Sequence, residues 1–294
     1  MRFEGIIPAV TTPFDVEGAI DRAALAANLA ALLDAGVHGL VATGTMGEAG
    51  SLSSAERRLV VDAAVAAAAG RVPVVVGVSA GTPPAAIALA TDAADAGADA
   101  VMLLPPLGYR ADPDELEAYY RAVAEGGGLP VMAYNNPEAS GVDMPAELLV
   151  RLYERVEGVV AVKECSGDAR RIPALLHAAP GLEVLVGGDD WALEGFSAGA
   201  TGWVSGVADV APAECIALWE ACRAGELDRA RELYARLLPL ARFDMTPKLV
   251  QYFKAALDER GLAGGACRPP RRPLSSGEHD ALRSALAVLE GVPA

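Results

Sequence analysis

Val159-Val160-Ala161-Val162-Lys163-Glu164-Cys165 is a short, β-branched run with an amine near its end. Its first four residues are apolar on both faces, the pattern of a parallel strand buried between layers. Lys163 follows with no polar face on which to expose itself. An unpaired ammonium in such a place costs on the order of several kcal/mol, so burial is expected to favour the neutral amine and lower its pKa. A neutral lysine amine is a nucleophile that condenses with carbonyls to a Schiff base. The alternative is a surface lysine just past a strand end, and the four apolar residues before it weigh against that.

Outward from this run, similar short segments recur along the chain. Strands are expected at residues 5–10, 39–44, 72–78, 98–105, 129–135, 159–165, 182–187 and 202–207. Between them lie alanine- and leucine-rich helical patterns at 21–35, 54–69, 84–96, 113–125, 145–155, 169–178, 191–198 and 211–223. Ser53-Ser54-Ala55-Glu56 reads as a capping box, Asp112 precedes Pro113 as a helix start, and Gly36, Gly70 and Gly97 sit where helices should stop. Strand–helix units at a spacing of roughly 25–35 residues are the pattern of a (β/α)8 TIM barrel, an α/β fold. A doubly wound sheet would more often show a glycine-rich phosphate loop in its first turn, and Val10-Thr11-Thr12-Pro13-Phe14 is not one.

After residue 224 the strand signal stops. Residues 227–240, 246–260 and 276–289 read as three further helices. The expected organisation is a catalytic barrel, 1–224, with a C-terminal helical extension, 225–294, packed on it as one structural unit.

The 294 residues are 52% hydrophobic and 21% charged, a globular composition. A net charge of −15 argues against nucleic acid or an anionic membrane as partner. No apolar stretch approaches the ~20 residues of a membrane helix. The opening residues carry an acid early and no signal-peptide core. Four cysteines and three histidines show no metal-ligand spacing, so neither metal nor cofactor is expected, and a reduced, cytoplasmic compartment fits.

In a barrel, chemistry collects where strands end. The second strand ends in Gly44-Thr45-Met46-Gly47-Glu48, the fifth in Tyr134-Asn135-Asn136-Pro137, the sixth carries Lys163, and the seventh ends in Gly187-Gly188-Asp189-Asp190. Tyr134 offers a phenol to move protons on and off a carbinolamine. The glycine-flanked loop 44–47 would let backbone N–H groups approach an anion, or is a simple tight turn. Glu48 either joins the chemistry or stabilises the next helix's N-terminus. Asp189 and Asp190 either bind a substrate's distal hydroxyls or cap the short helix that follows.

These segments, in this order, resemble the dihydrodipicolinate synthase / N-acetylneuraminate lyase family of Schiff-base aldolases and lyases. The likeness runs from Gly5-Ile-Ile-Pro-Ala-Val-Thr-Thr-Pro-Phe14 to Arg268-Pro-Pro-Arg-Arg-Pro-Leu274. It implies a Schiff-base lysine at Lys163, a catalytic tyrosine at Tyr134, and a proton-relaying hydroxyl at Thr45. Gly44 and Thr45 would present N–H groups to the carboxylate of a bound 2-oxo acid. Met46, Tyr109, Ser140, Asp189, Asp190 and Val204 complete the expected substrate contacts. The resemblance also implies a homo-oligomer, a tetramer built as a dimer of dimers.

Several positions depart from the synthase pattern. Met46 stands where synthases have a second threonine, and the family's paired tyrosines after the fourth strand are out of register, with Tyr109 as a displaced substitute. Ala139 occupies the place of an arginine that holds a second carboxylate, and a methyl cannot replace a bidentate guanidinium. The expectation is therefore a lyase acting on pyruvate or a related 2-oxo acid rather than 4-hydroxy-tetrahydrodipicolinate synthase, which is the first alternative. A deaminase or dehydratase of a hydroxylated 2-oxo acid or hydroxypyrroline carboxylate is the second. Met46, Phe243-Asp244 and Tyr252-Phe253-Lys254 resemble that branch. The third alternative is a 2-oxo acid sensor without turnover.

Overall fold

The apolar runs form eight short parallel strands in the computed structural model, which describes residues 2–291. They are β1 (Gly5–Pro8), β2 (Leu40–Ala42), β3 (Val74–Gly77), β4 (Ala100–Leu103), β5 (Val131–Asn135), β6 (Val159–Glu164), β7 (Glu183–Val186) and β8 (Gly202–Ser205). Neighbours pair in the order β1-β8-β7-β6-β5-β4-β3-β2. A bridge between Ala9 and Val41 closes the ring, and Val10 N–H donates to the Val41 carbonyl at 3.0 Å. This is the TIM barrel, and almost every strand residue is buried on both faces as the unbroken apolar runs require. The strands are shorter than the runs that encode them. Pro73 and Pro130 lack a backbone N–H for the ladder, so β3 and β5 begin only after them.

Around the ring lie α1 (Arg22–Asp34), α2 (Ser54–Ala68), α3 (Pro83–Asp95), α4 (Pro113–Gly127), α5 (Pro137–Ser140), α6 (Ala146–Arg155), α7 (Arg171–Ala178), α8 (Ala192–Ser197) and α9 (Pro212–Arg223). Ser53 with Glu56, and Asp112 with Glu115, form complete capping boxes that satisfy the first N–H groups of α2 and α4. The one-turn helix α5 was not expected. Asn136 starts it by accepting from Ala139 N at 3.0 Å.

Three helices follow: α10 (Leu227–Ala241), α11 (Leu249–Glu259) and α12 (Ser276–Leu289). Their closest tie to the barrel is an ion pair. Lys254, 1% exposed, sits 2.9 Å from Glu48, which is fully buried. Its ammonium also donates to the Thr12 carbonyl at 2.8 Å and the Ala266 carbonyl at 2.5 Å. Glu48 therefore neither faces substrate nor stabilises a helix end, as the two sequence readings had it. It anchors the tail to the loop after β2. The turn Arg242–Met245 between α10 and α11 reaches the barrel mouth, where Asp244 Oδ2 accepts from Asp189 N at 3.3 Å. Among the described residues no helix is long and apolar enough to cross a membrane.

Candidate active site

The parallel register of β5 and β6 sets Tyr134 directly beside Lys163. Both side chains point into a cavity of about 290 Å³ at the C-terminal ends of the strands. Lys163 Nζ stands 4.4 Å from the centre of the Tyr134 ring. Gly187, just past β7, makes room for the lysine stem: a Cβ there would lie 2.9 Å from Lys163 Cγ and overlap Cys165 Sγ. Opposite, the loop 44–47 lines the cavity with Gly44, Thr45 and Met46. None of its four backbone N–H groups donates to another group among the described residues. The site thus holds an amine, a phenol and a cradle of free N–H donors suited to an anion.

The amine's charge state differs from the sequence expectation. Burial pushes the Lys163 ammonium toward neutrality, but interaction with the acidic groups around it, Tyr134 first and then Cys165, Asp244 and Asp189, raises its pKa above the ordinary value of 10.5. The run that carries Lys163 is apolar, yet the residues around its amine are not. Tyr134 is itself raised, by burial and then by Cys165, and the Cys165 thiol is pushed up to about 12, chiefly by burial. At neutral pH both are therefore protonated, which leaves Asp244, raised by burial only to about 6, as the partner able to carry negative charge toward the lysine; burial raises Asp189 well above the usual carboxylate range.

The expected site residues divide into two groups. Lys163, Tyr134, Gly44, Thr45 and Met46 meet at the cavity. Thr45 makes no hydrogen bond to Tyr134; the phenol instead accepts from Asn136 Nδ2 at 3.0 Å. The other five lie outside the lining. Tyr109 is 50% exposed on the loop after β4. Ser140 Oγ donates to the Asn136 carbonyl at 2.8 Å and closes α5. Val204 is fully buried within β8. Asp189 is fully buried, accepting from Trp203 Nε1 at 2.9 Å and Val207 N at 2.6 Å, so its oxygens are already occupied. Asp190 is half-buried, and neither aspartate caps α8, whose first turn has no side-chain cap.

Asp244 and Arg271 line the cavity but were not among the expected site residues. Arg271 rests loosely on Glu48, at 3.4 Å, whose charge Lys254 already neutralises. Both belong to the tail, where no strand end marks them. The available signals were an acid in the aromatic and apolar link after α10, and an arginine between prolines at 268–273. Ala139 lines the cavity as well, presenting a methyl.

Comparison with known proteins shows which family the whole chain is similar to. The dihydrodipicolinate synthetase family model matches residues 2–289. The 4-hydroxy-tetrahydrodipicolinate synthase of Methanopyrus kandleri is 38% identical over 283 residues, 95% of this chain and 93% of that protein. The protein of the same name from Methanothrix thermoacetophila is 37% identical over 289 residues, 98% of this chain and 97% of that protein. The solved structure of 4-hydroxy-tetrahydrodipicolinate synthase from Methylacidiphilum fumariolicum superposes with a TM-score of 0.94 at 30% identity, covering 99% of this chain and 97% of that one.

Proposed function

Because the chain belongs to the dihydrodipicolinate synthetase family and is a lyase of its aldolase type, we propose that Lys163 forms a Schiff base with pyruvate or a related 2-oxo acid. The pairing of Tyr134 with Lys163 across β5 and β6, inside the cavity, carries this reading. The substrate's carboxylate takes the N–H groups of the loop 44–47, and its carbonyl carbon meets the Lys163 nitrogen. The ammonium must first give up a proton. Tyr134, protonated at neutral pH and adjacent, passes protons to and from the carbinolamine oxygen, and Thr45 extends that traffic toward solvent.

The second substrate is not aspartate semialdehyde in this reading. Ala139 and Met46 both face the cavity, and neither binds a carboxylate or passes a proton. The synthase reading has one observation in its favour, Arg271, a guanidinium on the cavity wall that could serve a distal carboxylate. A sensor without turnover would keep the adduct and lose the chemistry.

The chain acts as one catalytic unit, 1–224 with 225–294, since the tail lends Asp244 and Arg271 to the cavity. We read it as a cytoplasmic homotetramer, a dimer of dimers. Four free thiols favour the reducing compartment, and exposed Leu107 and Tyr109 after β4 favour a contact there. Sedimentation as a monomer at micromolar concentration would contradict the assembly.

The test of substrate is a panel of pyruvate with aspartate semialdehyde, N-acetylneuraminate, sugar-derived 2-oxo acids and hydroxypyrroline carboxylate. Turnover of one of the last three, with the first pair slow, is expected. Efficient condensation of the first pair would overturn the reading of Ala139 and leave Arg271 as the clamp.

A further inference from the structure

We propose that Asn136 is a positioning residue of the site, whose side-chain amide sets the polarity of the Tyr134 phenol so that the phenol's proton goes to the carbinolamine at Lys163. The inference rests on the Schiff-base reading above and deepens it by naming what makes Tyr134 a donor.

Tyr134, Asn135 and Asn136 leave β5 in extended backbone, where alternate side chains share a side. Asn135 turns away, fully buried, with its Nδ2 donating to Glu164 Oε2 at 3.0 Å and its Oδ1 accepting from Met144 N at 2.9 Å. Tyr134 and Asn136 both line the cavity, and Asn136 Nδ2 lies 3.0 Å from Tyr134 Oη.

Which end of an amide faces a neighbour is settled by its other hydrogen bonds. Asn136 Oδ1 accepts from Ala139 N at 3.0 Å, as the cap of α5. A backbone N–H can only donate, so the end facing Ala139 is the oxygen. The end at Tyr134 is then the NH2 group, a donor with nothing to accept a proton. Ser140 fixes the turn from the far side, its N and Oγ donating to the Asn136 carbonyl at 3.0 and 2.8 Å. The phenol oxygen must therefore accept. A second, weaker donor points at the same oxygen, Cys165 Sγ at 4.0 Å. With donors on its lone pairs, the phenol's own O–H has no acceptor among the described residues. Its proton is left for the cavity, where the Lys163 amine stands over the ring.

The consequence is an acid aimed before substrate arrives. When pyruvate adds to Lys163, the C2–O bond of the carbinolamine must break. The Tyr134 proton goes to that hydroxyl, the nitrogen lone pair forms C2=N, and water leaves. The phenolate keeps the Asn136 N–H and faces the iminium. It then takes a proton from C3, which gives the enamine and restores the phenol. Burial, then Cys165 and Asp244, raise the phenol's pKa, whereas Lys163 and the Asn136 hydrogen bond lower it, so the amide favours the phenolate that the step creates.

The test follows loss of the pyruvate methyl signal in D2O by NMR, which needs the imine and enamine but no second substrate. It compares wild type, Asn136→Asp and Asn136→Leu, each also combined with Tyr134→Phe. Aspartate keeps the size and caps α5 as well as asparagine, but it presents an oxygen to the phenol and so turns the phenol's proton into the protein. Leucine removes donor and cap together. Exchange should fall on the order of 10²-fold in Asn136→Asp and by less in Asn136→Leu, where the proton can still reach the cavity. A residue that only caps α5 predicts the reverse order, aspartate like wild type and leucine worse. Combined with Tyr134→Phe, the substitutions at 136 should change the rate by no more than a few-fold, because no phenol is left to orient. If the leucine variant does not fold, the aspartate pair decides alone. Exchange in Asn136→Asp equal to wild type, a lower rate in Asn136→Leu than in Asn136→Asp, losses of the same size with and without the phenol, or a wild type that traps pyruvate but exchanges no faster than Tyr134→Phe would each overturn the assignment. Absence of both exchange and a borohydride adduct with pyruvate in the wild type would overturn instead the Schiff-base reading beneath it.

Discussion

Lys163 and Lys254 are both buried, at 6% and 1% exposure, and they are bonded in opposite ways. Lys254 spends its three protons on Glu48, the Thr12 carbonyl and the Ala266 carbonyl. The Lys163 amine has no hydrogen bond among the described residues and stands over a phenol ring at the edge of a cavity. The chain has only one other lysine, Lys248, and it pairs with Glu278 at 2.8 Å. Burial alone therefore does not mark a reactive amine. What separates the two is whether the fold has used up the nitrogen: a saturated ammonium ties segments together, and an unsaturated one awaits a carbonyl.

The widest separation should come from removing each amine in turn. Lys163→Met should cost turnover on the order of 10⁴-fold or more, the scale of losing a nucleophile, with a denaturation midpoint that moves less than in Lys254→Met. Steady-state rates beside urea melts decide it, and a Lys163→Met enzyme that keeps its rate would erase the distinction. Next in size, Tyr134→Phe should lower kcat by roughly 10²–10⁴-fold with the fold unchanged. An unaltered kcat would reduce that ring to a packing partner.

Lys254→Met should act on stability instead, by about 3–5 kcal/mol, because it strands a buried Glu48 carboxylate. Adding Glu48→Leu should recover much of that loss, since the penalty is the uncompensated charge. If the double variant is no more stable than the single, the pair is not what binds the tail to the barrel.

The smallest effect lies at the more exposed edge of the same junction, where Arg268 meets Glu56. Arg268 holds the Glu56 carboxyl down to about 2 from an ordinary 4.5. A depressed acid contributes stability that is full above 4.5 and lost as pH falls toward 2. In Arg268→Gln the acid-unfolding curve between those values should flatten slightly, and a curve identical to wild type would show the contact to be screened by solvent.

Much of this was legible in the chain. Apolar runs and helix caps define all eight strand–helix units, because each unit's period is local. Lys163 and Tyr134 stand out because each is the first residue with a polar group in a strand that is apolar up to that point. What stayed hidden is long-range. Nothing near Glu48 announces a lysine 206 positions later. Asp189 looked like a substrate contact because a polar residue follows a strand; only the fold shows that Trp203 and Val207 have claimed it. Asp244 lies between two helices of the tail, where strand-end logic gives no reason to look. The same blindness misjudged the charge on Lys163, since the acids that hold it protonated come from distant segments.

With three lysines in the whole chain, trapping the imine measures the difference between them directly. The protein is incubated with pyruvate, reduced with borohydride and mapped by peptide mass. The reduced pyruvyl group should appear on the peptide containing Lys163, with those containing Lys248 and Lys254 unmodified. Modification of either of these with Lys163 spared, or no adduct with pyruvate or any other 2-oxo acid, would contradict the account.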